Sequence, residues 1–326
     1  EKVLVGSIRW DAWYRAPDAA NPGPVGEVER TLSAEKYHFR APFFTEELSD
    51  TSIRIVGYDN DIIGQEIEYA SEAGLDYWAF LLYEKTSLMS EGLNIYLQHK
   101  DKNKINFCAI AEPKRIILSN GKETERILQL LTESNYQKVM NNRPLIYIFR
   151  PDSDLIARSG GEENLRQKFI DFRASIIRAG YADPYLVIMT TEVNNTRKMI
   201  DLITADAVSE YAFQSDLNRS KTSYKDLTDE VRAFWLQQKN NGFSSIPLVM
   251  SGWNRWPRID RPVSWEANWQ KAPGIEITKN YEFPSPRELA QHVKEGMDWV
   301  RENPGSCPAN SILIYAWNEH DEGGWL

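Results

Sequence analysis

The sequence predicts a (β/α)8 barrel. Eight short apolar runs, most of them β-branched or aromatic, recur along the chain, and amphipathic helical patterns lie between them. A further observation counts against the main alternative, a doubly wound open sheet. The first run ends Gly6-Ser7-Ile8-Arg9-Trp10, and no glycine-rich phosphate cradle follows it.

The runs are Val3–Ile8, Leu75–Leu82, Ile105–Ile110, Leu145–Phe149, Tyr185–Met189, Ala205–Val208, Ile246–Met250 and Ser311–Trp317. They are too short for helices and lack polar alternation, as expected of strands buried on both faces. Between them, Ile63, Ile67 and Ala70 recur at helical spacing, with Gly74 as the C-terminal stop. Leu165, Phe169, Phe172 and Ile176 give a second apolar stripe, and Leu227, Val231, Phe234 and Trp235 a third, closed by Asn241-Gly242. Ser285-Pro286-Arg287-Glu288 is a capping box with proline at the first helical position, opening a helix that buries Leu289, Val293, Met297 and Val300. Further helices are expected over roughly 87–100, 122–140 and 193–203. The sequence ends at Leu326, soon after the eighth run, so the eighth helix is missing or truncated.

The longest intervals between strands follow strands one and seven. A closed barrel makes those two strands the neighbours of strand eight. The segments 12–60 and 252–284 are therefore long loops beside the C-terminal end of strand eight, where barrel enzymes place their chemistry. The whole of 1–326 reads as one domain.

Composition narrows the partners. The 326 residues carry 38 Lys+Arg against 47 Asp+Glu, a net charge of -9, which disfavours nucleic acid and anionic membranes. No stretch approaches the roughly 18–20 apolar residues of a transmembrane segment. Cys108 and Cys307 form no framework. The four histidines show no metal-ligand spacing, and neither a GxSxG elbow nor a GxxxxGK[ST] loop is present, so no metal or other cofactor is expected. The chain begins at Glu1, consistent with removal of a leader.

Strand eight runs into Ala316-Trp317-Asn318-Glu319-His320-Asp321-Glu322-Gly323-Gly324. Two glutamates three positions apart at a strand end can face one cavity, and they can divide acid and base roles if their surroundings separate their pKa values. A solvated acidic turn is the alternative. Other strand ends carry Trp10, Asp11 and Tyr14, then Tyr83 and Glu84, Glu112, Arg150, Glu192, Glu210 and Tyr211, and Trp253 with Asn254 and Arg255. Such a ring of donors and acceptors suits a polyhydroxylated ligand. For any one member a structural role is equally open. Eight of the 11 tryptophans (Trp10, Trp13, Trp253, Trp256, Trp265, Trp269, Trp317 and Trp325) fall near strand eight, as the apolar face of a sugar ring would require. Trp317, Asn318 and His320, adjoining the glutamates, are candidate contacts as well, His320 as a hydrogen-bonding orienter.

The strand-eight segment resembles the terminal motif of the glycoside hydrolase family 99-like group, which includes the domain often labelled WbsX-like glycosyltransferase. Tyr37-His38-Phe39-Arg40-Ala41-Pro42-Phe43-Phe44, the stretch from Gln65 to Phe80, and Asn142-Arg143-Pro144-Leu145-Ile146-Tyr147 fit the same group. The resemblance implies a glycosidase-type barrel acting on an oligo- or polysaccharide, in a secreted or periplasmic bacterial protein. It also implies retention of configuration. The residue matching Glu319 would assist attack by the substrate's 2-hydroxyl through a 1,2-anhydro sugar, and the one matching Glu322 would be the general acid/base. That role needs a raised pKa on Glu322, expected from repulsion by Glu319 and Asp321. Between the glutamates this chain carries His320-Asp321 where the hydrolases usually have Trp-His. A glycosyltransferase or other glycan-modifying enzyme, and a non-catalytic glycan-binding barrel, are the alternative readings. The sequence does not set the oligomeric state, and a monomer is the working expectation.

Overall fold

The computed structural model describes residues 2–17, 22–58, 61–190, 192–213, 222–266 and 280–326. Eight parallel strands form the barrel: β1 (Leu4–Arg9), β2 (Tyr77–Leu81), β3 (Asn106–Ala111), β4 (Arg143–Ile148), β5 (Tyr185–Met189), β6 (Ala207–Ser209), β7 (Leu248–Met250) and β8 (Ser311–Tyr315). Each overlaps one of the eight apolar runs. β1 lies between β2 and β8, with Gly6 opposite both Tyr77 and Leu313. The β6–β7 seam is closed by a parallel bridge at Val208 and Ser245, where Val208 N–H donates to Ser244 (2.9 Å) and Ile246 N–H to Val208 (2.9 Å).

The strands are apolar throughout because both faces are covered: β5 and β8 are buried at every position. Inside, the Tyr77 ring lies over Gly6 and its hydroxyl meets those of Tyr147 (2.9 Å) and Ser311 (3.0 Å), linking three strands across the barrel. Outside, the predicted helices form at Ile62–Glu72, Glu162–Arg178, Val193–Ile203, Tyr224–Asn240 and Pro286–Glu302. The Ser285–Glu288 capping box is made in both directions.

Two helical expectations need correction. The stretch 87–100 divides into a 3-10 turn, Leu88–Ser90, and a helix, Glu91–Gln98. The stretch 122–140 is helical only over Lys122–Leu131. The buried Asn135 side chain then donates to Tyr96 Oη (2.7 Å) and the Lys102 carbonyl (2.9 Å), tying the chain back, and Lys138–Val139 pairs antiparallel with Arg143 and Pro144.

The segments after β1 and β7 are structured as well as long. The first contains a helix (Pro24–Leu32), a 3-10 turn (Glu35–Arg40) and a hairpin (Thr45–Ser49 with Ser52–Ile55), built on its own apolar cluster around Trp13, Val28, Leu32 and Ile53. The second contributes a short helix, Trp256–Asp260. They meet beside β8. Tyr37 and Lys36 donate to Asp260 (both 2.6 Å), and the buried Arg40 guanidinium donates to the Asn254 carbonyl (2.7 Å) and amide oxygen (2.8 Å).

No α-helix follows β8 among the described residues. An apolar groove of about 650 Å³ lies between the Ile62–Glu72 and Pro286–Glu302 helices, floored by Val5 and Ile314. No described helix is long and apolar enough to cross a membrane.

Gly6 has a specific packing role. A Cβ there would lie 2.1 Å from the Tyr77 ring, which is itself pinned by two hydroxyl contacts. Gly6→Ala is expected to lower unfolding free energy by about 1–3 kcal/mol, the usual range for overpacking, as read by urea denaturation.

Candidate active site

Beyond β8 the chain makes a compact turn. Asn318–Glu319 pairs antiparallel with Gly324–Trp325, and His320–Glu322 forms a single 3-10 turn closed by Gly323 at φ +80°. Only glycine adopts that conformation readily, and a Cβ there would strike the Asn254 backbone within 3 Å. The Asn254 N–H donates to the Glu322 carbonyl (2.7 Å), fixing this turn against the loop after β7.

Both glutamates are buried and line one cavity of about 540 Å³ at the C-terminal end of the barrel. Its walls are aromatic: Trp10, Tyr83, Tyr211, Trp253 and Trp265. Trp10 Nε1 donates to Tyr83 Oη (2.9 Å), joining the loops after β1 and β2.

The two carboxyls have unlike surroundings. Glu319 accepts a hydrogen bond from Tyr211 Oη (2.6 Å), and its nearest cation is Arg258 at 4.0 Å. Burial, followed by the charge of Glu322, holds its carboxyl well above the ordinary carboxylate range. Glu322 is equally enclosed, and burial alone would raise it too. Arg258 Nη1 at 2.6 Å, Arg255 Nε at 3.2 Å and a hydrogen bond from Tyr315 Oη at 2.5 Å outweigh that, and Glu322 is held below its usual value. The expected elevation on Glu322 is therefore reversed: two arginines, absent from the sequence-based reasoning about this pair, decide its sign.

Arg258 is the hub. Its guanidinium donates to both Asp321 oxygens (2.8 Å each), to Glu322 and to Glu266 (2.8 Å), while lying 5.6 Å from the Trp10 ring and 5.7 Å from that of Trp265. Burial opposes the charge, but Asp321 and Glu322 keep it fully protonated. Asp321 also accepts from Thr31 Oγ1 (3.2 Å), so the loop after β1 is tied into the same group.

The candidates from the sequence divide three ways. Glu319, Glu322, Trp10, Tyr83, Tyr211 and Trp253 line the cavity together, as does Trp265. Asp11, Asn254, Asn318 and Glu210 are buried supports. Asp11 accepts from Arg9 (2.9 Å) and from Asn318 Nδ2 (3.1 Å), Asn318 Oδ1 takes the Trp10 N–H (2.8 Å), and Glu210 takes Arg150 Nε (3.2 Å). The remainder lie away from it. Tyr14 packs on Tyr58 in the cluster beneath the first loop. Glu84 and Glu192 are exposed, and Glu112 pairs with Arg115 (3.2 Å). Trp317 and His320 line the outer groove instead. Alternation alone would put Trp317 on the same side as Tyr315; it lies past the end of β8, where the pleat no longer holds, and packs outward against Glu66 (2.9 Å) and Trp78. His320 Nδ1 contacts the Arg40 carbonyl (2.6 Å), the ring stacks on Trp325, and burial pushes its pKa down to about 4. Trp269 lies outside the described residues. Arg258 and Glu266 were missed, and Arg150 and Arg255 were noticed only as strand-end residues. No periodic signal marks a loop arginine. Among the described residues no cluster of three or more His, Cys, Asp or Glu could hold a metal ion.

No family model and no curated protein matches the chain. Solved structures do. A GH99 endo-alpha-mannosidase from Bacteroides thetaiotaomicron, in complex with BIS-TRIS-propane, superposes with a TM-score of 0.62 at 16% identity, covering 99% of this chain and 85% of that one. A second structure of a GH99 endo-alpha-mannosidase from the same organism gives 0.58 at 16% identity, covering 98% and 86%. The chain has the fold of these glycosidases. At that identity the likeness carries the (β/α)8 architecture and leaves the chemistry to the site itself.

Two stability effects follow. Arg258→Met strands buried carboxylates and should destabilise the fold by about 3–5 kcal/mol at neutral pH. Since Glu322 is depressed below its ordinary 4.5, its share of that loss is present above pH 4.5 and fades as pH falls through the folded value. Glu319 behaves oppositely. Its raised carboxyl stabilises the fold fully below about pH 4.5 and progressively less as pH rises toward the folded value. Glu319→Gln is therefore expected to gain stability relative to wild type as pH increases from 4.5 to 8, measured by urea denaturation across that range.

Proposed function

We propose that this chain is a retaining glycoside hydrolase of the family 99-like group, acting on an oligo- or polysaccharide as a secreted or periplasmic bacterial protein. Residues 1–326 act as one catalytic domain, as a monomer and without a cofactor. The observation that carries this reading is the unlike carboxyl pair, one held above and one below the ordinary carboxylate range, on the wall of an aromatic cavity. Glycosidic cleavage needs both states at once: a proton for the leaving oxygen and a negative charge near the anomeric carbon as it becomes oxocarbenium-like. The glycosidase fold of the structural neighbours supports the same class.

The electrostatics favour Glu319 as the proton donor and Glu322 as the carboxylate that faces the developing positive charge. This is the reverse of the division implied by the family resemblance. Tyr211 positions the Glu319 carboxyl through one oxygen, leaving the other for the proton. Trp10, Trp253 and Trp265 offer ring faces to the C–H faces of the sugar.

The test begins with a polysaccharide panel in which newly formed reducing ends are counted. At least one glycan is expected to be cut, and no release from any member contradicts the reading. On that glycan, Glu319→Gln and Glu322→Gln should each lower turnover by roughly 10²–10⁴-fold. An aryl glycoside of the same sugar with an acidic phenol as leaving group needs no proton. It should restore turnover to Glu319→Gln and not to Glu322→Gln; rescue of Glu322→Gln instead would return the acid role to Glu322. The pH–rate profile should rise below pH 4.5 as Glu322 ionises and fall well above it as Glu319 loses its proton.

A further inference from the structure

Three arginines line the cavity, and they are not equivalent. Arg255 and Arg258 are buried, paired with Glu266 and Glu322. Arg150 is different: its side chain is 50% exposed. Its Nε donates to Glu210 (3.2 Å), and its one other hydrogen bond among the described residues is a long one from Nη2 to the Ala212 carbonyl (3.4 Å). A guanidinium has five N–H donors, so most of this one's capacity is left open to the cavity.

The side chain is nevertheless held in place. Arg150, two residues beyond the end of β4, has φ +36°, a left-handed conformation that strains any residue with a Cβ. Its guanidinium lies 5.7 Å from the Phe149 ring. Glu210 beneath it is buried and also takes the Tyr211 N–H (2.7 Å), so it is a fixed support for Arg150 rather than a mobile counter-ion. A strained, supported arginine presenting free N–H groups to a cavity is suited to an oxyanion, which accepts forked hydrogen bonds that a neutral hydroxyl cannot match in strength.

We propose that Arg150 is a specificity-determining residue that selects a glycan bearing an anionic substituent, a carboxylate or a sulfate ester, in the cavity beside Glu319 and Glu322. The proposal rests on the glycan-cleaving reading for the identity of the ligand. The net charge of -9 means that such a glycan is not drawn in by the surface as a whole, so selection comes from the local site.

Calorimetric titration of the full chain tests it with matched pairs: polygalacturonate and alginate against their carboxyl-reduced forms, and a sulfated galactan against its desulfated form. One acidic member is expected to bind at least tenfold more tightly than its neutral counterpart, the uronans and the galactan distinguishing carboxylate from sulfate. Arg150→Gln should lower that affinity at least tenfold, with Arg150→Lys intermediate and both variants melting within a few degrees of wild type. Equal binding of the neutral counterpart, no binding of any acidic member, or full affinity in Arg150→Gln would each overturn the proposal. Binding of an acidic glycan without release of reducing ends would uphold this site and sink the hydrolase reading. Cleavage confined to a neutral glycan, unaltered in Arg150→Gln, would do the reverse.

Discussion

The site depends on one buried cation. Arg258 is enclosed with Asp321, Glu322 and Glu266 around it and indole rings beside it. A charge removed from water in this way is tolerable only with close, well-directed partners, and the partners in turn are tolerable only with the charge. This mutual requirement joins the turn after β8 to the short helix after β7, and through Thr31 to the helix Pro24–Leu32 in the loop after β1. The cavity is the space left between those three pieces. Closure of the barrel brings them together, because β1 and β7 are the two neighbours of β8.

The same cation separates the two glutamates. They are three positions apart in one turn and similarly buried, so burial alone would raise both. Distance to Arg258 makes the difference, 2.6 Å for Glu322 against 4.0 Å for Glu319, and Arg255 adds to it on the Glu322 side. Two carboxyls of one type are thereby shifted in opposite directions, which is the condition for dividing acid and base work between them.

Much of the architecture was legible in the sequence because it rests on periodicity. Buried strands reveal themselves as apolar runs, and helices such as Val193–Ile203 and Pro286–Glu302 through spacing and caps. The side on which a strand-end residue emerges is set by the pleat and by the turn that follows, and it is far harder to read. Thus Glu319 and Glu322 reach the cavity while Trp317 and His320, in the same nine-residue motif, pack outward on Glu66 and Trp325. Glu112 and Glu192 were plausible as a ring of acceptors, yet each stands at the N-terminus of the following helix, where a carboxylate suits the helix dipole. Arg258 gave no signal because it lies within Trp256–Asp260, a single turn inside a stretch that reads as loop.

The central claim is that Arg258 keeps the charge on Glu322 and leaves the proton on Glu319. Carbon-13 NMR of side-chain carboxyls in glutamate-labelled protein, titrated from pH 3 to 9 and assigned by loss of a resonance in Glu319→Gln and Glu322→Gln, measures it directly. The account predicts that the Glu319 resonance titrates well above 4.5 and the Glu322 resonance below it. The reverse order, or coincident titration of both near 4.5, would contradict it.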